Sequence, residues 1–442
     1  MKEWQEEFKR KQITAEEAAQ MVKSGDYISF TLGREAFSIG LAIAARIGEL
    51  QDVKVFQPFP GYDFGWYEPG WEEFFKITLL MPTATSQQMV DDRRCDIEVN
   101  DILCWSESTS RQSDVVITEV SPPDDKGFCS FGAALWNKRK HIKNAKLVLA
   151  EINDRLIRTF GDNFIHVSEI DYFVPHQPTG GIVASGSLGG REIRKPAPYM
   201  QDITRYVSEL IGDGDTVQIG IGRVAECLVE LGLFDGKNDL GWYSEATPPG
   251  VIRLVREGVI NGKRKTFFPG KVIVTTLGGA TQEDMNWASN NPLFLLVDVD
   301  FLWDTRNIAA NDNMVSINQA LTIDLSGQIS AESLGHKIFS GSGGQTAFAY
   351  GALLSKGGRG ITILPSTAKD KDGKLTSRIV SSLEPGTAVT VTRNCVDHVV
   401  TEYGIARLRG KSLRKRCEEL IMVAHPDFRA ELTREAHQLY WP

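Results

Sequence analysis

The chain contains no Cys-x-x-Cys pair, no His-Glu-x-x-His run and no apolar stretch long enough to span a bilayer. Its six cysteines (Cys95, Cys104, Cys129, Cys227, Cys395 and Cys417) are scattered, so reduced thiols are expected rather than a disulfide framework or a zinc site. The seven histidines show no ligand spacing either, and no metal is expected. An excess of positive charge is also missing. Lys and Arg number 49 against 57 Asp and Glu, a formal charge of -8, which excludes the basic footprint that nucleic-acid binding needs. The opening run Met1-Lys-Glu-Trp-Gln-Glu-Glu-Phe-Lys-Arg-Lys11 has no apolar core of the secretory kind. These absences predict a cytoplasmic protein with no membrane partner.

What is present is a globular composition over 442 residues, longer than one hydrophobic core usually supports. Short β-rich runs alternate with helical patterns, the signature of α/β structure with mainly parallel sheets. Predicted strands include Tyr27–Leu32, Val53–Phe56, Val115–Thr118, Leu147–Glu151, Thr216–Ile221, Val272–Thr276, Phe294–Val297, Ile361–Leu364 and Ala388–Val391. Thr14-Ala-Glu-Glu17 reads as a capping box opening a helix. Between about His176 and Met200, Gly and Pro are dense enough to mark a linker. The segments on either side look alike. Met21-Val-Lys-Ser-Gly-Asp26-Tyr-Ile-Ser-Phe-Thr-Leu-Gly33 parallels Leu210-Ile-Gly-Asp-Gly-Asp215-Thr-Val-Gln-Ile-Gly-Ile-Gly222. Each reads as a helix end, a Gly-Asp turn, a buried strand and a glycine that opens the next helix. Two tandem, related open α/β domains follow, spanning 1–185 and 186–442, with the active site expected in the cleft between them. The next strands diverge: Asp52-Val-Lys-Val-Phe-Gln-Pro58 against Asp239-Leu-Gly-Trp-Tyr-Ser-Glu245. Only the second carries a carboxylate at the strand's carboxyl end, the edge where open parallel sheets bind ligands.

Four constellations could carry chemistry. Gln218-Ile-Gly-Ile-Gly222-Arg-Val-Ala225 offers backbone N–H groups to an anion, and it equally passes as a dinucleotide fingerprint or a plain tight turn. Glu245, before Ala246-Thr-Pro-Pro-Gly250, is a carboxylate on a stiff turn, although a lone loop glutamate is more often a solvated charge. Phe339-Ser-Gly-Ser-Gly-Gly344, with Ile361-Thr-Ile-Leu-Pro-Ser-Thr-Ala-Lys369, suggests backbone approaching a ligand and a polar loop ending in a cation. Asp397–Gly410 reads as a strand-to-helix connection with a structural role.

Taken with Ile13-Thr-Ala-Glu-Glu-Ala18, Gly127-Phe-Cys-Ser-Phe-Gly132, Ala145-Lys-Leu-Val-Leu-Ala-Glu-Ile-Asn153, Ser316-Ile-Asn-Gln-Ala320, Asp324-Leu-Ser-Gly-Gln328, Thr401-Glu-Tyr-Gly404 and His425-Pro-Asp-Phe-Arg429, these segments resemble the acetyl-CoA hydrolase/transferase family of class I coenzyme A transferases. The resemblance runs over essentially the whole chain. It implies movement of CoA between an acyl-CoA and a small carboxylic acid, with Glu245 as the nucleophile and a glutamyl-CoA thioester as intermediate. It further implies an oxyanion hole from the Ile221 and Gly344 backbone amides. CoA contacts fall to Gly220, Gly222, Asn318, Ser340, Gly343 and Lys369, Asn318 being a recurrent asparagine near the family's active site. No bound cofactor is implied, coenzyme A being a substrate, and the family forms homo-oligomers, here a homodimer or homotetramer. An acyl-CoA hydrolase using the same site, a dinucleotide-dependent oxidoreductase and a non-catalytic CoA sensor are the alternatives. Departures from the family pattern fall at Ala246–Gly250, Ala347 and Arg407, and the stretch 61–105 matches poorly. That stretch overlaps an aromatic cluster, Phe59, Tyr62, Phe64, Trp66, Tyr67, Trp71 and Phe74, read as a subunit interface or else an acyl pocket.

Overall fold

The computed structural model describes residues 3–33, 36–103, 107–177, 196–278, 281–370 and 372–441. The chain divides into two compact units, Met1–Arg191 with Val274–Phe301, and Glu192–Ile273 with Leu302–Pro442. Most of the Gly/Pro-rich segment between His176 and Met200 lies outside the described residues.

In the first unit the sheet strands are β1 (Tyr27–Phe30), β2 (Val53–Gln57), β3 (Phe75–Leu79), β4 (Asp96–Ile97), β5 (Ser113–Val120), β6 (Ala145–Ile152) and β7 (Tyr172–Pro175). They lie in the order β7-β6-β5-β1-β2-β3-β4, every pairing parallel. In the second unit β8 (Thr216–Ile219), β9 (Gly241–Tyr243), β10 (Val272–Val274), β11 (Met314–Gln319), β12 (Arg359–Ile363), β13 (His398–Thr401) and β14 (Gly404–Arg407) follow the order β14-β13-β12-β11-β8-β9-β10. All these pairings are parallel except the β13–β14 hairpin. Both units are therefore open α/β sheets, and six strands in each keep the same chain order and the same neighbours.

The repeat extends to single residues. Lys23 N–H donates to Asp26 Oδ2 at 2.8 Å, and Gly212 N–H to Asp215 Oδ2 at 2.6 Å. The Asp26 carbonyl accepts from Lys54 N–H and the Asp215 carbonyl from Gly241 N–H, both at 2.8 Å. Asp52 and Asp239 both take the left-handed conformation at φ +56°, a region where aspartate is among the tolerated residues. Each aspartate thus closes its turn and pins the next strand. The predicted capping box is present: Thr14 Oγ1 accepts from Glu17 N–H at 3.1 Å and Glu17 Oε2 from Thr14 N–H at 2.8 Å, opening α1 (Ala15–Gln20). The other helices used below are α2 (Phe37–Ala44), α3 (Val251–Arg256), α4 (Gln345–Leu354) and α5 (Leu413–Val423).

Several expectations are corrected. Ala388–Val391 forms no strand; Val391 makes only an isolated bridge to Ile329, and Val389 is exposed, so the run lacks the two buried faces a sheet strand needs. Strand β8 stops at Ile219, two residues early, where Gly220 turns the chain. The connection at 397–410 is the β13–β14 hairpin, not a strand leading into a helix; α5 begins only at Leu413.

Most of the aromatic cluster belongs to the first unit's core, with Tyr62, Trp71 and Phe74 half-buried against it. Phe64, Trp66 and Tyr67 are buried in the first unit's core, where Trp66 packs on Phe64 (4.7 Å between ring centroids), Phe75 (5.5 Å) and Phe30 (5.8 Å). The cluster reads as surface only when its loop is taken as exposed; in fact it folds back over β1 and β3. Trp66→Ala should accordingly destabilise the protein by about 3–5 kcal/mol. Denaturant unfolding measures this, and the relative rates with different carboxylic acids should stay unchanged.

Among the described residues the five remaining cysteines are unpaired, no group of acidic, His and Cys side chains could hold a metal, and no helix is long and apolar enough to cross a membrane.

Candidate active site

Glu245 stands two residues past the end of β9, at the carboxyl edge of the second unit's parallel sheet. Its approach is tightly held. Lys265 Nζ donates to the Trp242 carbonyl at 3.0 Å, Tyr243 Oη donates to the Leu302 carbonyl at 3.2 Å, and Ser244 Oγ donates to the Ile219 carbonyl at 3.2 Å. Gly250, at φ +88°, ends the Pro248-Pro249 turn and opens α3. The carboxylate is thus carried on stiff backbone rather than on a mobile loop. Trp303 Nε1 donates to Glu245 Oε2 at 3.0 Å. Burial pushes the Glu245 carboxyl up to about 7, against the opposing pull of that indole N–H. Glu245 is half-buried, and a carboxylate so poised keeps an ionised fraction at neutral pH while losing part of the hydration that makes carboxylates sluggish nucleophiles.

The glycine turn after β8 lies beside the end of β11. Ile219 pairs with Ile317 in register, so Gly220 and Ile221 fall next to Asn318 and Gln319. A Cβ on Gly220 would lie 2.2 Å from Asn318 Oδ1, and one on Gly222 (φ +151°) 2.6 Å from Gln319 Oε1; neither position has room for a side chain. The Gln319 side chain fastens the turn by accepting from Val224 N–H at 2.8 Å. Asn318 and Gln218 form a reciprocal amide pair (3.0 and 3.1 Å), and Asn318 Nδ2 also donates to Ser316 Oγ at 2.9 Å. Both hydrogens of the Asn318 amide are therefore committed, which leaves it one oxygen lone pair for a ligand.

The sequence reading placed a helix after this turn, and none forms. Residues 225–227 make one short 3-10 turn, and turns follow to residue 236. A dinucleotide fingerprint needs its last glycine to open a helix whose N-terminus faces the pyrophosphate, so that reading loses its structural context.

Gly344 comes directly against the glutamate. A Cβ built on it would sit 2.5 Å from Trp303 Nε1 and 3.2 Å from Glu245 Oε2. Gly344 is also the N-cap of the ten-residue helix α4 and has no side chain to satisfy the first-turn N–H groups. The positive end of that helix dipole lies beside the carboxylate. Among the described residues, the Ile221 and Gly344 N–H groups donate to no protein acceptor.

The structure thus brings Glu245 and Gly344 together, and groups Gly220, Gly222 and Asn318 at the neighbouring strand ends. Ser340 and Gly343 lie on the loop leading into α4, Ser340 Oγ donating to the Gly341 carbonyl at 3.3 Å. Lys369 is exposed at the end of a short hairpin strand, Thr367–Lys369, paired with Leu375–Ser377. Neither Ser340 nor Lys369 hydrogen-bonds Glu245. Ser366, in the same loop, donates its N–H (2.9 Å) and hydroxyl (2.6 Å) to Glu402, which gives the 397–410 hairpin an anchoring role. Sequence reasoning missed Trp303, Gln218 and Gln319. Gln218 and Gln319 both stand in motifs given above, whereas nothing in Phe301-Leu-Trp-Asp304 signals a partner for Glu245.

The first unit shows what the same edge does without a nucleophile. Pro58 occupies the place of Glu245. Carboxylates at neighbouring strand ends are spent on architecture. Buried Glu151 accepts from Ser38 N–H (2.9 Å), Ser38 Oγ (3.0 Å) and Ile39 N–H (3.2 Å) at the start of α2, and Glu119 accepts from Asn153 Nδ2 at 2.6 Å.

The chain is similar to known proteins over nearly its whole length. The chain is 37% identical over 441 residues to a 4-hydroxybutyrate coenzyme A transferase of Clostridium kluyveri, covering 98% of this chain and 99% of the relative. The chain belongs to the acetyl-CoA hydrolase/transferase family. The family's N-terminal domain matches residues 98–183 and its C-terminal domain residues 280–436. Glu245 and the 220–222 turn lie between these two segments but within the full-length alignment. The chain is also similar to a succinyl-CoA:cyclohexane-1-carboxylate CoA transferase of Geobacter metallireducens, with 34% identity, 99% of this chain and 97% of the relative covered. Among solved structures it is similar to RipA from Yersinia pestis, with a TM-score of 0.89, 29% identity and full coverage of both chains. An acetyl-CoA hydrolase of Yarrowia lipolytica matches at 29% identity over only 49% of this chain and 39% of its own length. The Clostridium kluyveri and Geobacter metallireducens relatives, which match from end to end, are coenzyme A transferases by name.

Proposed function

We propose that this protein transfers coenzyme A between an acyl-CoA and a free carboxylic acid through a glutamyl-CoA thioester on Glu245. The observation that carries the reading is the half-buried Glu245 carboxylate at a sheet edge, held by the Trp303 indole at 3.0 Å and so close to Gly344 that a Cβ there would lie 3.2 Å from Oε2. In the first step a Glu245 oxygen attacks the acyl-CoA carbonyl carbon, the C–S bond breaks, and CoA thiolate leaves a mixed anhydride. The thiolate then adds to the glutamyl carbonyl carbon. The bond to the acyl carboxylate breaks, the donor acid departs, and CoA is held as the glutamyl thioester. An acceptor carboxylate runs the same steps in reverse, so no net proton is consumed. Thioester is exchanged for thioester, and the protein has only a barrier to lower.

Each addition builds an oxyanion. The Ile221 and Gly344 N–H groups, which have no protein acceptor among the described residues, and the N-terminus of α4 suit that charge; one such donor is worth about 3 kcal/mol. Gly220, Gly222, Asn318, Ser340 and Gly343 are assigned to CoA, and the exposed Lys369 ammonium to its phosphates. No bound cofactor enters the scheme, and a cytoplasmic homodimer or homotetramer is part of the same reading. The names of the relatives make 4-hydroxybutyrate, succinate and cyclohexane-1-carboxylate the acids to assay first, beside acetate and butyrate.

Steady-state kinetics test the scheme. The donor acid must leave before the acceptor reacts, so double-reciprocal plots at several fixed acceptor concentrations should be parallel. Intersecting lines with a demonstrated ternary complex would overturn it. Hydrolysis without acceptor should run far below transfer; equal rates would make water the true acceptor and the protein a hydrolase.

A further inference from the structure

We infer that Trp303 is the hydrogen-bond donor for the glutamyl carbonyl oxygen, holding Glu245 Oε2 while the other carboxylate oxygen carries the acyl group. The inference rests on the glutamyl-CoA reading above and assigns to it a group that the sequence did not reveal. The geometry is direct: Nε1 lies 3.0 Å from Oε2, and Trp303 is 1% exposed. The residue before it is tied to the nucleophile's strand through Tyr243 Oη and the Leu302 carbonyl at 3.2 Å. The indole is also packed so closely on Gly344 that a Cβ there would lie 2.8 Å from Cε2.

Burial alone does not explain the pairing. The indole N–H groups of Trp66 and Trp242 are equally buried and have no partner among the described residues. The chemistry of the donor suits the task. An indole N–H donates only, neither ionises nor accepts, and so cannot compete as nucleophile or acid. An arginine or lysine there would form an ion pair with Glu245 and blunt its attack.

Through the reaction, Oε1 bonds to the acyl carbon and Oε2 becomes the glutamyl carbonyl oxygen. When CoA thiolate adds to the glutamyl carbon, the electron pair moves onto Oε2. Collapse returns it and expels the acyl carboxylate with Oε1, leaving Oε2 as the thioester carbonyl. A donor fixed on Oε2 therefore serves the resting carboxylate, the anhydride and the second oxyanion without moving.

The test is the rate of glutamyl-CoA formation from acyl-CoA across pH, followed by intact-protein mass spectrometry. It compares the wild type, Trp303→Phe, and a protein carrying 3-benzothienylalanine at position 303. That analogue keeps the shape of tryptophan and replaces the N–H with sulfur, so it separates donation from packing. Both substituted proteins should form the thioester roughly ten- to a hundredfold more slowly. The acid limb of their pH–rate profile should move upward by about one unit, because the ionised carboxylate has lost a donor. Acyl-CoA affinity should hold. A benzothienylalanine protein with the wild-type rate and the wild-type limb would overturn the inference. If the wild type itself forms no adduct, the glutamyl reading fails first, and that result is distinct from an adduct insensitive to position 303.

Discussion

Glu245→Ala should lower CoA transfer by about four orders of magnitude or more while leaving acyl-CoA affinity within a few-fold of the wild type. The separation follows from the layout. The glycine turns and the Lys369 loop assigned to CoA do not depend on the glutamate side chain. The covalent step has no substitute, because among the described residues no second carboxylate stands at the end of β9. Glu245→Asp should keep little more activity, since drawing the carboxylate back by one methylene misplaces it by more than about 1 Å, a shift that commonly costs a hundredfold. Isotope exchange between labelled acetate and acetyl-CoA measures the rate, and calorimetry the affinity. Residual exchange within tenfold of the wild type would remove Glu245 from the chemistry.

The second large effect is expected from one methyl group. Gly344→Ala should reduce kcat by about a hundredfold or more. The added Cβ would meet Trp303 Nε1 at 2.5 Å, Trp303 Cε2 at 2.8 Å and Glu245 Oε2 at 3.2 Å. Gly344 has φ -71°, which alanine adopts freely, so no backbone strain accompanies the change. The loss would come from pushing the indole off the nucleophile and from moving the Gly344 N–H. Overpacking of this kind costs about 1–3 kcal/mol of stability, small beside the catalytic loss. Steady-state kinetics with a melting curve separate the two. A variant with wild-type kcat would show that the loop yields and that this amide is not in use.

Glu245, the Gly220–Gly222 turn and Gly344 could be singled out in the sequence as short local strings, a carboxylate before a Pro-Pro-Gly turn and dense glycines, while the roles expected of them came from the family resemblance. The tandem repeat was legible for a related reason. Asp26 and Asp215 close their own turns within three residues, so the pattern survives in a short string. Long-range pairings left no such trace. Trp303 reaches Glu245 across 58 positions, and Asn318 reaches Gln218 across 100. Strand β11 was missed for the same reason. Ser316, Asn318 and Gln319 give it a polar look, and in the fold Gln218 pairs with Asn318, Asn318 donates to Ser316, and the 222–224 turn engages Gln319. In the aromatic cluster the sequence shows ring density but not burial: Phe64, Trp66 and Tyr67 become core only where β1 and β3 pack against them.

Covalent capture tests the central claim most directly. Wild-type protein mixed with excess acyl-CoA and denatured within seconds should gain the mass of one CoA less one water. Peptide mapping should place that gain, or the alcohol left by borohydride reduction, on Glu245, and Glu245→Ala should gain nothing. An unmodified wild-type protein that is turning over substrate, or an adduct mapped to any other residue, would contradict the glutamyl-CoA mechanism.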